Sequence, residues 1–140
     1  MSGCQYGCLL VFRGGNGPAG QFGLTQSHSY EAFYAHVPGL KVITPSNPAD
    51  AKGLLKAAIR DNDPVVFLES EKMYGDKSEV PEGEFIIPIG VADVKRKGTD
   101  ITLVTFGKII KVAQEAADAL AKQNISVEII DLRTIRPIDY

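Results

Sequence analysis

The stretches YEAFYAHVPGLKVITP, residues 30–45, and NPADAKGLLKAAIRDNDPVVFLESE, residues 47–71, decide the fold. The first stretch predicts a short helix over residues 30–37, which ends at Pro38-Gly39, and a strand over residues 40–44, which ends at Pro45. Helix and strand alternate again in the second stretch, and this alternation is typical of an α/β fold.

The second stretch carries the strongest helix signals. Asn47 suits the N-cap, and Pro48 suits the first helical position because a proline there loses no hydrogen bond. The apolar stripe that follows consists of Ala51, Leu54, Leu55, Ala58 and Ile59. Residues 61–64, DNDP, end the helix, and residues 65–68 are predicted as a buried strand.

The flanking segments extend this pattern. Residues 8–12, CLLVF, predict a strand buried on both faces, and residues 13–29 form a glycine-rich segment without helical period. The polar segment 69–84 is interpreted as a connector, and residues 85–94 carry mixed strand signals.

The C-terminal part predicts a strand over 100–106, a helix over 108–123 and a strand over 126–132, with Asn124 at the helix C-terminus. Such a unit favours a parallel strand pair with a right-handed crossover. The predicted buried stripe of the helix is Ile109, Val112, Ala113, Ala116 and Leu120. We therefore expect a mostly parallel sheet with helices on both faces in residues 1–77, followed by the start of a second α/β domain in residues 78–140.

Composition excludes several classes of protein. The chain of 140 residues is 44% hydrophobic, which disfavours disorder, and has a net charge of −2. Its basic residues form no patch of the kind that binds nucleic acid. Its apolar runs are shorter than the roughly 18 residues that span a bilayer, so no membrane partner is expected. Cys4 and Cys8 lack histidine neighbours and are predicted to be reduced thiols, not a metal site.

Residues 15–20, GNGPAG, match the G-x-G-x-x-G pattern of dinucleotide-binding loops. That site requires a helix to open inside the motif, whereas Pro18 lies in its middle and no helical stripe follows. A plain glycine-rich turn and a loop lining an active-site mouth are the alternative interpretations.

Two histidines are present. His28 follows the glycine-rich segment, where an exposed imidazole can titrate near neutrality, so it is a candidate catalytic residue or ligand. His36 precedes Pro38-Gly39 and is expected to lie at a helix end. The corner at residues 61–63 is either a solvated helix stop or a backbone-carbonyl site for a hard cation.

Several motifs together resemble the beta subunit of the thiamine-dependent first component of pyruvate dehydrogenase. They are VFRG at 11–14 with NG at 16–17, HVPGLKV at 36–42, AKGLLKAAIRD at 51–61, PIG at 88–90 and DLRTIRP at 131–137. The resemblance covers nearly the whole chain, and the branched-chain oxoacid and acetoin enzymes share many of these motifs. It implies a transketolase-like pyrimidine-binding domain and oxidative decarboxylation of pyruvate, with acetyl transfer to a lipoyl carrier.

The resemblance also implies partners and cofactors: an alpha subunit, a lipoyl acyltransferase core and a second beta subunit. Thiamine diphosphate would lie between subunits, with magnesium on the alpha side. The family's pyrimidine-binding glutamate and nearby aromatic residues lie upstream of Met1, so no cofactor-binding residue is assigned here, and the chain alone is expected to be inactive. A fragment or assembly module without catalysis, and a branched-chain or acetoin enzyme, remain alternatives.

Two groups of site residues follow from the resemblance. Gln26 occupies the place of a family histidine that assists acyl transfer, and His28 is the residue that would substitute for it. A potassium ion would be bound by the backbone carbonyls of Leu10, Ala58, Asp61 and Asp63. The implied location is the bacterial cytoplasm, or the mitochondrial matrix in a eukaryote.

Overall fold

The computed structural model describes residues 5–20, 23 and 27–140. A short 3-10 helix at Glu71–Met73 follows the third of seven strands in this part of the chain. The elements in chain order are β1 Val11–Gly15, α1 Glu31–Ala35, β2 Lys41–Ile43, α2 Pro48–Ile59, β3 Val65–Glu69, β4 Asp93–Arg96, β5 Ile101–Thr105, α3 Ile109–Ala121, β6 Val127–Asp131 and β7 Thr134–Arg136.

The first sheet has the strand order β1-β3-β2-β7, in which β1, β3 and β2 are parallel and β7 is antiparallel to β2. Alternate residues of β2 and β3 point to opposite faces. On one face, Leu54 and Ala58 of α2 pack against a cluster made by Ile43, Val65 and Phe67. On the other face, Tyr34 and Ala35 in α1 pack against Val42, Val66 and Leu68. The predicted α/β architecture with helices on both faces is thus confirmed.

The prediction of a strand buried on both faces at residues 8–12 is wrong. The strand begins at Val11, lies at the edge of its sheet and is largely exposed, with Leu9 73% and Phe12 56% exposed. Apolar composition alone does not place a strand in the middle of a sheet. The central, fully buried strand is β3.

Helix α2 begins as predicted. The side chain of Asn47 accepts a hydrogen bond from the backbone N–H of Asp50 (2.8 Å), and Pro48 is the first helical residue. One member of the predicted stripe is misplaced, since Ile59 is 63% exposed. Gly53 is buried instead, because the segment containing Phe85 and Ile87 crosses the helix there, and a methyl group on Gly53 would lie 2.7 Å from Ile87. Strand β4, the first strand after this crossing segment, begins at Asp93.

The second sheet has the order β4-β6-β5, with β5 and β6 parallel and α3 between them in the chain. This confirms the predicted parallel pair. The predicted stripe of α3 is only partly correct. Ala113 is buried and Leu120 packs against the same core cluster, whereas Ile109 and Val112 are 46% and 56% exposed, and Ile110 and Ala117 are buried instead. Asn124 follows α3 with a φ of 60°, and its N–H donates to the carbonyl of Ala121 (3.0 Å), as expected near a helix C-terminus.

The two parts of the chain are joined by β7, which returns to the first sheet, and by a buried charge cluster. We define this ion cluster as Asp50, Asp93, Lys95, Asp131 and Arg133. Asp50 on α2 accepts hydrogen bonds from Lys95 (2.8 Å) and Arg133 (2.7 Å), and both bases also contact Asp93. Asp50 and Asp131 are 2% and 0% exposed, so the cluster crosses the boundary between residues 1–77 and 78–140 inside the protein. That boundary remains our proposal.

None of the helices in the described residues has the length and apolar character needed to cross a bilayer.

Candidate functional site at the carboxyl ends of the strands

A cavity of about 230 Å³ lies where the parallel strands of both sheets end. Its walls include Asn16, which follows β1, Thr44, which follows β2, and Ser70, which follows β3. Phe106 and Lys108, which follow β5, close the opposite side. In open α/β folds ligands bind beyond the carboxyl ends of parallel strands. We call this cavity the carboxyl-end cleft.

Asn16 connects the glycine-rich segment to both the sheet and α1. Its backbone N–H donates to the carbonyl of Glu69 (2.7 Å), and its side-chain amide donates to Glu31 Oε1 (2.6 Å). Its side-chain oxygen accepts from the N–H of Tyr30 (2.8 Å), and the residue is only 8% exposed. Sequence reasoning quoted Asn16 as part of a motif but gave it no structural task. An asparagine between two glycines was the available signal.

His28 is exposed at the rim of this region. Its carbonyl accepts a hydrogen bond from the N–H of Gly17 (2.7 Å), and its ring centroid lies 5.5 Å from that of Tyr30. Gln26 lies outside the described residues, so the spatial relation of the two candidate catalytic residues stays a prediction. Within residues 15–20 no helix begins, and the segment is a turn in which Gly17 has a φ of +78°.

Beside the carboxyl-end cleft, Arg13 and Glu69 form a two-pronged ion pair with N–O distances of 2.5 and 3.1 Å. The pair borders a second cavity of about 220 Å³ that Tyr74 also lines. Burial, together with the neighbouring Glu69 carboxylate, raises the pKa of Tyr74. Glu69 is buried, and the positive charge of Arg13 compensates its negative charge.

At the predicted cation site, the corner at residues 61–63, the side chain of Lys41 supplies a positive charge. Lys41 Nζ lies 2.7 Å from both carboxylate oxygens of Asp61 and 3.1 Å from Asp63 Oδ2. Burial alone would raise the pKa of Asp61, but its hydrogen bonds with Lys41 and the backbone hold it below the ordinary value. The carbonyls of Leu10 and Ala58 accept from the N–H groups of Val65 (2.9 Å) and Asp61 (3.3 Å).

Each of those carbonyls retains a second lone pair, so a potassium site formed by Leu10, Ala58, Asp61 and Asp63 stays a prediction. Within the described ranges, no three histidine, cysteine, aspartate or glutamate side chains are grouped as a metal site.

The ion cluster was not predicted from the sequence. Burial opposes ionisation of Asp50, yet hydrogen bonds from Lys95 and Arg133 outweigh it and lower the pKa of Asp50. Burial raises the pKa of Asp131, which accepts a 2.5 Å hydrogen bond from Ser46. The alternating acids and bases of D-V-K at 93–95 and D-L-R at 131–133 were the only sequence signal.

Comparison with known proteins gives the family. The model of the transketolase pyrimidine-binding domain matches residues 1–77. The chain belongs to this family. The transketolase C-terminal domain model matches residues 90–140, so this member of the pyrimidine-binding family continues into a second transketolase-type segment.

The resemblance to pyruvate dehydrogenase beta subunits is confirmed. The chain is 55% identical to the pyruvate dehydrogenase E1 component subunit beta of Rhizobium meliloti, over 99% of this chain and 30% of that protein. It is 51% identical to the mitochondrial subunit beta-1 of Oryza sativa, over 99% of this chain and 38% of that protein. The chain thus spans about a third of the length of these curated relatives.

A solved structure shares the fold. The split-gene transketolase described as an inactive beta4 tetramer aligns with a TM-score of 0.76 and 22% identity, over 95% of this chain and 42% of that one. This similarity supports the transketolase-like arrangement of strands and helices described above.

Proposed function

We propose that this protein acts as the beta subunit of a thiamine diphosphate-dependent 2-oxoacid dehydrogenase that decarboxylates pyruvate oxidatively and passes the acetyl group to a lipoyl carrier. The observation that carries the proposal is the 55% identity to a pyruvate dehydrogenase beta subunit across 99% of the chain. The carboxyl-end cleft supports it, since this is where α/β enzymes bind ligands.

Glu31 and Glu69, the carboxylates held by residues at the end of β1, are already engaged within the protein. Glu31 is bound by the amide of Asn16, and Glu69 is paired with Arg13. Both carboxylates thus have partners inside the protein, and none of these contacts identifies a cofactor nitrogen as a further partner. We therefore assign no cofactor contact to these residues and derive no chemical step through the cofactor.

Residues of the glycine-rich segment hold the walls of the carboxyl-end cleft in position. Asn16 holds the glycine-rich segment between the end of β3 and the start of α1. The bond between Gly17 and the His28 carbonyl closes the segment on itself and keeps His28 at the rim. An exposed imidazole at the rim can reach an incoming substrate as a proton donor or acceptor. His28 is our candidate for this proton exchange. Gln26, which can form hydrogen bonds but cannot act as an acid or base near pH 7, is the second proposed residue of the site.

The assembly belongs to the proposal as well. An alpha subunit would bind the cofactor diphosphate through magnesium, a second beta subunit would complete the enzyme, and a lipoyl acyltransferase core would receive the acetyl group. The named relatives include mitochondrial and bacterial proteins, so the matrix and the bacterial cytoplasm are the proposed compartments.

Calorimetric titration tests this assignment. We expect the full-length protein mixed with an alpha subunit to bind thiamine diphosphate in the presence of magnesium. Titration with NAD should release no more heat than titration with buffer. Each subunit alone serves as the control. Tight binding of NAD without thiamine diphosphate binding would contradict the proposal and favour the G-x-G-x-x-G interpretation.

A further inference from the structure

Lys108 extends across the carboxyl-end cleft to the glycine-rich segment. A methyl group placed on Gly17 would lie 2.9 Å from Lys108 Nζ and 3.5 Å from Ser29 Oγ. The ammonium group therefore lies against the backbone of Gly17, the residue that is hydrogen-bonded to the His28 carbonyl. Because Gly17 lacks a side chain, the lysine of the second sheet can approach this closely.

The ammonium group has no counter-charge in the described part of the chain. No carboxylate of those residues lies within 4.0 Å of Lys108 Nζ, although eight other lysine and arginine side chains each form such a pair (Arg13, Lys41, Lys56, Arg60, Lys95, Arg96, Lys111 and Arg133). The one carboxylate that lines the cleft, Glu31, accepts a hydrogen bond from Asn16. Lys108 is a half-buried residue, and an ammonium group that loses part of its hydration without gaining a partner is stabilised by a bound anion.

The other polar groups of the cleft are suited to an anion. The side chains of Ser29, Thr44 and Ser70 line it, and each hydroxyl can donate a hydrogen bond. Donors from Lys108 and these hydroxyls thus surround the space, while the apolar walls come from Phe106 and Ile109.

The size and charge of the cleft select a small monoanion. Its volume of about 230 Å³ is below the roughly 300–1,000 Å³ of pockets for drug-sized ligands. One lysine balances one negative charge, and the nearby Glu31 repels a dianion such as phosphate more strongly than a monoanion.

We propose that Lys108 binds the carboxylate of the 2-oxoacid substrate in the carboxyl-end cleft. This inference rests on the proposed function for the identity of the substrate. It makes Lys108 a substrate-binding residue and gives the second sheet a direct part in the site.

Titration of the isotopically labelled 140-residue chain with sodium pyruvate, followed by NMR, tests the binding directly. We expect pyruvate to shift the amide signals of Gly17, Ser29 and Lys108. Lys108→Gln should raise the Kd about tenfold or more, because a charge-assisted hydrogen bond is lost. Lys108→Arg should retain most of the affinity, and Lys122→Gln, a charge removal on the exposed turn beyond the same helix, should leave the Kd unchanged.

Inorganic phosphate is the second probe. Binding of phosphate at Lys108 in preference to pyruvate would overturn the inference, as would equal pyruvate affinity in the parent and Lys108→Gln. Circular dichroism of each variant separates a loss of binding from a loss of folding. Lys108→Arg provides a conservative variant if Lys108→Gln unfolds.

Kinetics of the full-length protein with its alpha subunit separate this inference from the proposed function. We expect Lys108→Gln to raise the KM for pyruvate about tenfold with little change in kcat. If the parent enzyme turns over no pyruvate, the proposed function fails. If it turns over pyruvate and Lys108→Gln leaves KM unchanged, only the assignment of Lys108 fails.

Discussion

Asp50 shows how a single residue joins distant parts of this protein. It lies in the first turn of α2, where a carboxylate is favoured by the helix dipole. Its side chain is hydrogen-bonded to Lys95 and to Arg133, 83 positions away in the chain. The sequence pattern alone assigns no role to Asp50. Its buried partners could not be predicted, because pairing at that separation depends on how the two sheets meet.

We predict that Asp50→Asn lowers the free energy of unfolding by about 3 kcal/mol at pH 7, since it removes the buried carboxylate that Lys95 and Arg133 share. Asp118→Asn is the matched control, because its pair with Arg96 is exposed and should be worth under about 1 kcal/mol. Urea unfolding of both variants and the parent measures the differences. Equal effects of the two substitutions would contradict this role for the ion cluster.

The parent protein and Asp50→Asn should also differ in how their free energy of unfolding depends on pH. The pKa of Asp50 is lowered on folding, so its stabilisation is present above the unfolded value of about 3.9 and is lost as the pH falls through the lower folded value. Asp131 has a raised pKa and acts in the opposite direction. We expect the stability gap between the parent and Asp50→Asn to narrow below about pH 4. A constant gap down to pH 3 would refute this.

Gln26 and His28 provide the third prediction at this scale. A glutamine cannot act as an acid or base near pH 7. In the full-length protein with its alpha subunit, Gln26→His should raise acetyl transfer to the lipoyl carrier by about 10²-fold, with less effect on decarboxylation. If His28 has taken over the task, His28→Ala abolishes transfer and Gln26→His adds little. No change in transfer with either variant would remove both residues from the proton chemistry.

Among the elements, α2 and α3 differ in how well sequence predicts them. Asn47 and Pro48 fixed the start of α2 because capping is a local interaction. Helix α3 carries two apolar series, Ile109 with Val112 and Ile110 with Ala113, so its pattern does not determine which face is buried. Strand β1 shows the same limit, since a run of apolar residues does not distinguish an edge strand from a central one.

Two neighbouring isoleucines, Ile109 and Ile110, can be used to determine which face of α3 is buried. We predict that Ile110→Ala lowers the free energy of unfolding by about 2–5 kcal/mol, because Ile110 is 4% exposed and its removal leaves a cavity. Ile109→Ala, at a 46% exposed position, should cost well under half as much. Urea unfolding of the two variants decides the phase, and a larger loss for Ile109→Ala would show that the originally predicted stripe is the buried one.

The corner that follows α2 gives a prediction about potassium. A bound ion stabilises the folded state by about 2.7 kcal/mol at 100 times its Kd. If the carbonyls of Leu10, Ala58, Asp61 and Asp63 bind potassium, the Tm should be higher in potassium chloride than in an equal concentration of tetramethylammonium chloride. Lys41→Met, which removes the lysine that now contacts Asp61 and Asp63, should not abolish the difference. Equal Tm values in both salts would contradict the site.

At the scale of the whole molecule, two transketolase-type segments are connected by β7, by the ion cluster and by the carboxyl-end cleft. The order of elements and the family could be predicted from local patterns and motifs. The connection between the segments could not, because β7 pairs with β2 across about 90 residues and leaves no periodic signal. The cleft therefore has walls from both segments, which is the arrangement on which the proposed function depends.

Acetyl transfer from pyruvate to a lipoyl carrier is the most direct test of that function. The full-length protein, its alpha subunit, magnesium, thiamine diphosphate and a lipoyl domain would be incubated with isotopically labelled pyruvate, and mass spectrometry would detect the acetylated lipoyl group. We predict acetylation that requires both subunits and the cofactor, with pyruvate preferred over the branched 2-oxoisovalerate. Acylation only from 2-oxoisovalerate, or none from either acid, would contradict the account.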